Sequence, residues 1–279
     1  MFKRINKYKE IYKIFGYKGL LRELLIKLQL REKFDPTIKE KKIELEYKIR
    51  KLSKNFIIKG NYSNTYLSGK SCWQIFDNCS KYLGLYEEQV QNKIINEQKK
   101  NNLKFLVNFG ASDGYHILGL LKNSFFERGL AFEINAKEKL YLEDNIKKNN
   151  LESKIKTFSK ANFEDVFENI ELENLKKTLF LIDIEGSEFE LFNERTIKIL
   201  SSSFFIIENH DFMIKNKESI EKFWSKIKNF FDYELIYQSS RNPFSIDFLK
   251  EFSEDEKWIM MSEMRPQNMN WIFLKPKIT

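Results

Sequence analysis

Short apolar runs and stretches of helical period alternate along most of this chain. Residues 103–109 (LKFLVNF) are apolar except for Lys104 and Asn108, the pattern of a buried parallel strand. Comparable runs recur at 129–133, 154–158, 178–184, 203–208, 233–237 and 270–275. Stretches of helical period lie between the first six, at 114–122, 136–149, 162–169, 187–200 and 216–230. Such alternation builds a mostly parallel sheet with right-handed crossovers, so the predicted class is α/β, with its core at 100–237 and 270–275. Residues 238–269, between the last two strands, are too many for a simple hairpin. They are expected to form a substrate lid, with Arg241, Arg265, Trp258 and several methionines available to line a pocket.

Ahead of this core the pattern is helical. Residues 18–34 gather Leu20, Leu21, Leu24, Leu25 and Leu28 on one face, with Arg22, Lys27 and Arg31 elsewhere. The amphipathic helix suits packing on the domain or a partner, or docking on an anionic membrane surface. Asp35-Pro36 ends it. From Ile38 onward Leu45, Ile49, Leu52 and Phe56 repeat with 4-3-4 spacing, like a short coiled-coil seam. That spacing predicts a helix that packs on the domain or pairs in a homo-oligomer. Residues 59–71 (KGNYSNTYLSGKS) are polar and turn-rich, which divides the chain into a helical arm, 1–60, and a domain, 61–279. The stretch CWQIFDNCSKYLGLYEEQVQNKIINEQ predicts one or two helices broken at Gly84.

Charge sharpens that division. The net charge is +8, but residues 1–60 hold 18 Lys and Arg against 7 Asp and Glu, which leaves the rest at −3. A slightly acidic domain argues against a nucleic-acid groove within it. No stretch reaches the roughly 18 apolar residues of a membrane span. The basic start, followed by lysine-interrupted IYKIFGYKGLL, does not read as a signal peptide. Cys72 and Cys79 match no metal spacing and are expected to be reduced thiols. The expected location is cytoplasmic, with residues 1–60 available for peripheral contact with the inner face of the membrane.

The first apolar run ends in Gly110-Ala-Ser-Asp-Gly114, and a helical stretch follows. Strand, glycine turn and helix let backbone N–H groups meet a ligand at a helix N-terminus. The next strand ends on Glu133, 19 residues past Gly114. There nucleotide-binding α/β folds keep the acid that grips ribose hydroxyls. Ser112 holds the second glycine position of the dinucleotide fingerprint, which disfavours a nicotinamide-dependent oxidoreductase.

Four segments, NFGASDG (108–114), AFEIN (131–135), DIEGSE (183–188) and IIENH (206–210), resemble motifs of one family in that family's order. The family is the FkbM-type S-adenosylmethionine-dependent methyltransferases of class I, with D-x-G-A-x-x-G, A-F-E-P, D-x-E-G-x-E and I-I-E-x-H. The resemblance covers roughly residues 85–275, with two departures: Asn108 stands for the usual Asp, and Ile134 for the proline. It implies a Rossmann-like class I methyltransferase sheet, mostly parallel with the last strand antiparallel, behind an N-terminal helical extension. It also implies S-adenosylmethionine as cofactor, held by Asn108, Gly110, Ser112, Asp113, Gly114, Glu133 and Asn135. Asn162 is placed for the adenine region. LGLYEEQV (83–90) resembles a segment near the cofactor mouth of related sugar methyltransferases, which makes Glu87 a cofactor candidate and Tyr86 a substrate candidate. An exposed helix face is the plain alternative for both. The implied acceptor is a hydroxyl of a sugar or glycan precursor. A rival of another class is a non-catalytic scaffold of the same fold, tied through the arm to a membrane-bound glycan assembly.

Methyl transfer from a sulfonium is mainly alignment, and a hydroxyl acceptor must also lose a proton. The chain has two histidines, His116 and His210. His210 follows the strand ending at Glu208 and is the candidate base, with helix capping as its alternative; His116, one turn into the helix after the glycine turn, is a second candidate. Asp183 and Glu208 end neighbouring predicted strands and complete the catalytic set, with Glu185 beside them. These acids could hold Mg²⁺ or Mn²⁺, the cofactor's ammonium or the acceptor hydroxyl. Glu185 and Glu188 could equally serve as helix N-terminal charge. Arg241 and Arg265 are the substrate candidates of the lid.

Overall fold

The strands form where the apolar runs lie, and polar capping residues start most of the helices between them. The structure, a computed structural model, describes residues 2–28, 37–72, 78–265 and 267–277, with the backbone alone for 2–7. Residues 29–34 of the arm helix, its Asp35-Pro36 stop and positions 73–77 of the next predicted helix lie outside the described residues. Helices α1 (Phe2–Lys27), α2 (Ile38–Ser53), α3 (Asn78–Tyr82) and α4 (Glu88–Asn101) lead into the sheet. The core then runs β1 (Phe105–Phe109), α5 (Tyr115–Lys122), β2 (Arg128–Phe132), α6 (Ala136–Lys148), β3 (Ile155–Phe158), α7 (Phe163–Asn169) and β4 (Thr178–Ile182). It continues with α8 (Glu188–Leu191), α9 (Glu194–Ile199), β5 (Phe204–Glu208), α10 (Lys217–Phe230), β6 (Phe231–Tyr237), α11 (Glu254–Met261) and β7 (Asn270–Pro276).

The seven strands form one sheet in the order β3-β2-β1-β4-β5-β7-β6. Pairs from β3 to β5 are parallel, and β7 runs antiparallel to both β5 and β6. This is the Rossmann-like class I methyltransferase sheet that the resemblance implies, with an N-terminal helical extension. Strand order reverses between β1 and β4, and ligands of such sheets bind beyond the carboxyl ends at that point. Register keeps those ends level, with Phe109 opposite both Phe132 and Ile182, and Ile182 opposite Ile207.

Alternate strand residues feed two apolar layers. Leu106, Ala131, Leu181 and Ile206 pack with Ile94, Ile117 and Leu121 on one face. Val107, Phe132, Phe180 and Phe205 pack with Val166, Phe192, Phe223 and Ile227 on the other. Phe180 stacks on Phe205 at 4.8 Å. Burying each such ring stabilises the fold by about 1.5–3 kcal/mol.

Three elements differ from the sequence pattern. The predicted helix 187–200 is two pieces, because Phe192 turns extended and Asn193 starts α9 with a capping box to Thr196. The arm is helical from Phe2, with a break in helical geometry at Gly16, and Leu21, Leu24 and Leu28 of its stripe are exposed. Helix α2, capped by Thr37 and Glu40, packs on α3 and α11, with Leu45 and Ile49 inside and Leu52 exposed. Ile57, Tyr62 and Leu67, on either side of the predicted division at 60, enter one apolar cluster with Ile117 and Leu118. A Cβ at Gly119 would lie 2.2 Å from the Tyr62 ring, so that ring sits against the helix backbone.

Candidate functional site

The cofactor candidates meet at the ends of β1 and β2. The N–H of Ser112 donates to Glu133 Oε2 at 2.9 Å, and that of Asn135 to Oε1 at 2.8 Å. The carboxylate is therefore pinned at the mouth by the glycine turn on one side and the start of α6 on the other. Burial raises the Glu133 pKa, the two N–H bonds oppose the rise, and Glu138 adds to it, so the net shift is upward. Asn135 also caps α6 through the N–H groups of Lys137 and Glu138. Ser112, at φ 48°, donates its hydroxyl to Glu138 at 3.1 Å.

The glycine turn serves the protein more than the sequence implied. Gly110 and Ala111 donate their N–H groups to the Phe132 carbonyl, and Gly114 donates to that of Ala111. A Cβ on Gly110, at φ 78°, would fall 1.7 Å from the Asp183 carbonyl oxygen, so its bareness lets β1 close on β4. Asp113 turns inward, where its carboxylate accepts from Lys81 at 3.0 Å and from the Tyr115 N–H at 3.2 Å. Asn108 is buried and donates to the Leu181 carbonyl at 3.4 Å. Asn162 caps α7 through the Asp165 N–H.

The catalytic candidates converge past β4 and β5. His210 is buried, and its Nδ1 lies 3.0 Å from Oε1 of Glu188, which is fully buried and also accepts the Ile184 N–H at 2.9 Å. Its Nε2 faces Glu185 at 3.7 Å, Asp183 at 3.9 Å and Glu208 at 4.0 Å. Burial alone would lower the His210 pKa, but the Glu188 hydrogen bond and the charges of Glu208, Glu188 and Glu185 raise it above 6.5. Burial first, then Glu208, Glu87 and Glu185, push Asp183 well above the usual carboxylate range. Glu208 is raised by burial and Glu87, against Arg265, His210 and a hydrogen bond from Asp183. Asp183 and Glu208 are thus both shifted toward their neutral forms, by burial and by the charge of neighbouring carboxylates.

The donor set also fits a divalent ion. Asp183, Glu188 and His210 bring ligand atoms within 4.8 Å of one another, and Asp183 Oδ1 and Glu188 Oε2 are enclosed with no hydrogen-bond partner. Oxygen donors with one imidazole suit Mn²⁺ better than Mg²⁺.

The lid reaches this cluster through Ser262–Arg265, the segment after α11. Arg265 pairs with Glu208, with Glu87 and with Glu263, the last at 2.7 Å, and its guanidinium lies over Tyr86 and Trp271. Arg241 pairs with Glu263 at 2.6 Å and donates to the Met261 carbonyl at 2.8 Å. Glu87 is buried and Tyr86 half-buried, so neither sits on an exposed helix face. His116 bridges Glu87 at 3.0 Å and the Tyr62 hydroxyl at 3.1 Å. Burial would raise the Glu87 pKa, but Arg265, His116 and Tyr86 hold it at about 2. Trp258 is half exposed against Phe244, and Met260, Met261 and Met269 are core residues rather than pocket walls.

Two residues of this network, Glu188 and Glu263, are not among the candidates that the sequence singles out. Glu188 was read as helix N-terminal charge, although it closes the DIEGSE motif that also carries Asp183. Glu263 lies in none of the motifs.

No protein-family model matches the chain, and no curated protein matches it. Comparison with solved structures gives distant likenesses. An O-methyltransferase from Bacillus cereus in complex with S-adenosylhomocysteine is 9% identical, with a TM-score of 0.44, covering 92% of this chain and 97% of that one. TrmK of M. capricolum, also in complex with S-adenosylhomocysteine, is 16% identical at a TM-score of 0.41, covering 67% of each chain. A precorrin-6y C5,15-methyltransferase from Geobacter metallireducens GS-15 is 13% identical at 0.41, covering 69% of this chain and 89% of that one. Strand order carries the fold assignment, and no residue's role follows from likenesses this distant.

Proposed function

We propose that the protein is an S-adenosylmethionine-dependent methyltransferase whose acceptor is a hydroxyl of a sugar or glycan precursor. One observation carries this reading: the row of groups along the carboxyl ends of β2, β1, β4 and β5. In order these are Glu133, the glycine turn, Asp183, and Glu208 with His210. Enclosing Glu188, Glu208 and His210 together costs desolvation that their mutual pairing must offset. Asp183 Oδ1 and Glu188 Oε2 are left without hydrogen-bond partners among the described residues, at the place where a ligand would sit.

Glu133 fits a ribose. Each carboxylate oxygen accepts one backbone N–H and keeps a lone pair for a hydroxyl. S-adenosylmethionine, when bound, supplies an electrophilic methyl on a sulfonium. The chain's own groups do the rest. Glu188 fixes the proton on His210 Nδ1, which leaves the Nε2 lone pair turned toward Asp183 and Glu208 to take the acceptor's proton. Asp183, whose Oδ1 has no hydrogen-bond partner among the described residues, is placed to orient the hydroxyl through a hydrogen bond. Asp183, Glu188 and His210 would otherwise hold a divalent ion, and that ion would acidify the hydroxyl in place of the base.

Calorimetric titration with S-adenosylmethionine, S-adenosylhomocysteine and NAD⁺ tests the reading. The first two should bind and the third should not. Binding of NAD⁺ in their place, or of none of the three, would overturn it.

A further inference from the structure

Among the described residues, more carboxylates than cations gather past the carboxyl ends of β4 and β5. Glu87, Glu188, Glu208 and Glu263 are buried there, with Asp183 and Glu185 beside them. The two lid arginines are already engaged, Arg265 by Glu87, Glu208 and Glu263, and Arg241 by Glu263. His210 has Glu188 on one nitrogen and three carboxylates within 4.0 Å of the other. Among the described residues, the enclosed cluster atoms without partners include the acceptors Asp183 Oδ1 and Glu188 Oε2. Arg241 Nε is an unpaired donor, but on a guanidinium whose charge Glu263 neutralises.

An entering group must therefore bring donors, and an anion would face carboxylates at close range. We infer that the acceptor is a neutral or amino sugar, rich in hydroxyl or ammonium donors at its methylated end, and not a uronate or a sugar phosphate. This rests on the methyl-transfer reading and narrows it. Arg241 and Arg265, the substrate candidates of the lid, are thus held by carboxylates of the protein.

The test uses full-length protein with ¹⁵N-labelled histidine, saturated with S-adenosylhomocysteine. Methyl glucoside, glucosamine, glucuronate and glucose 6-phosphate are added at constant ionic strength while the His210 imidazole is followed by NMR. The first two should shift the His210 signal and bind roughly tenfold or more tightly than the last two. Glucuronate or glucose 6-phosphate binding as well as the others overturns the inference, and so does a silent His210 with both uncharged and amino probes. A protein that does not bind S-adenosylhomocysteine fails the methyl-transfer reading instead, so the two failures are distinct. In Glu87→Gln one of the three carboxylates on Arg265 is neutralised, and the anionic probes should gain affinity. Misfolding cannot produce that gain, and unchanged discrimination would contradict the inference.

Discussion

Glu133→Ala removes the acceptor of two backbone N–H groups as well as the proposed ribose contact. S-adenosylhomocysteine affinity should fall by roughly 1.5–3 kcal/mol in calorimetry, the cost of losing hydrogen bonds to a charged group. His210→Ala should lower turnover on an identified acceptor by roughly 10²–10⁴ with little change in cofactor binding. Its raised pKa has a definite sign: the imidazolium's contribution to stability is full below about 6.5 and is lost as pH rises through the higher folded value. Competence as a base grows over the same interval, so the rate of the wild type should rise with pH above 6.5. A flat profile, or turnover abolished by chelator and rescued by Mn²⁺, would assign the activation to an ion. Glu133, Asp183 and His210 were legible in the sequence because each lies at or just past the end of an apolar strand, where a topological rule says ligands bind. Glu188 was not, because helix N-terminal charge was a sufficient local reason for it and its partner is 22 residues away. Gly110 was legible as a required glycine, but what it clears is the Asp183 carbonyl rather than a ligand.

Among the elements, the sheet was legible because each strand's burial pattern is local to it. The helical arm was less so, since amphipathic spacing does not say what a face packs against. Helix α2 buries Leu45, Ile49 and Lys42, and Ile57, Tyr62 and Leu67 follow in the same core. A chain beginning at residue 37 should therefore keep a cooperative melt, whereas one beginning at residue 59 should lose it, as circular dichroism would reveal. Leu21, Leu24 and Leu28 of the arm remain exposed among lysines, and α1 is the element we propose for contact with anionic membranes. Among the described residues no helix is long and apolar enough to cross a membrane. Flotation with phosphatidylserine vesicles should need residues 1–36 and weaken with salt, and flotation of the shortened chain would reject that role. The buried pair of Lys81 and Asp113 ties α3 to the glycine turn. Lys81→Met strands the Asp113 charge and should cost about 3–5 kcal/mol in urea melts.

At the scale of the whole molecule, the Glu87–Arg265–Glu208 bridge joins the start of α4, the lid and the end of β5. Because the Glu87 pKa is held at about 2, below its ordinary 4.5, its stabilisation is complete above 4.5 and is lost as pH falls toward 2. Asp183 and Glu208 act in the opposite sense, since raised values favour their neutral forms and cost stability as pH rises through the normal carboxylate range. The stability difference between wild type and Glu87→Gln should therefore shrink as pH falls from 4.5 toward 2, as measured by urea midpoints at a series of pH values. In the proposed reading one cofactor lies along the row from Glu133 to His210. A crystal structure of the S-adenosylhomocysteine complex tests it most directly. The ribose hydroxyls should sit on Glu133, and the sulfur should face the gap between Asp183 and His210. A ligand bound elsewhere, or one whose sulfur turns away from that gap, would contradict it.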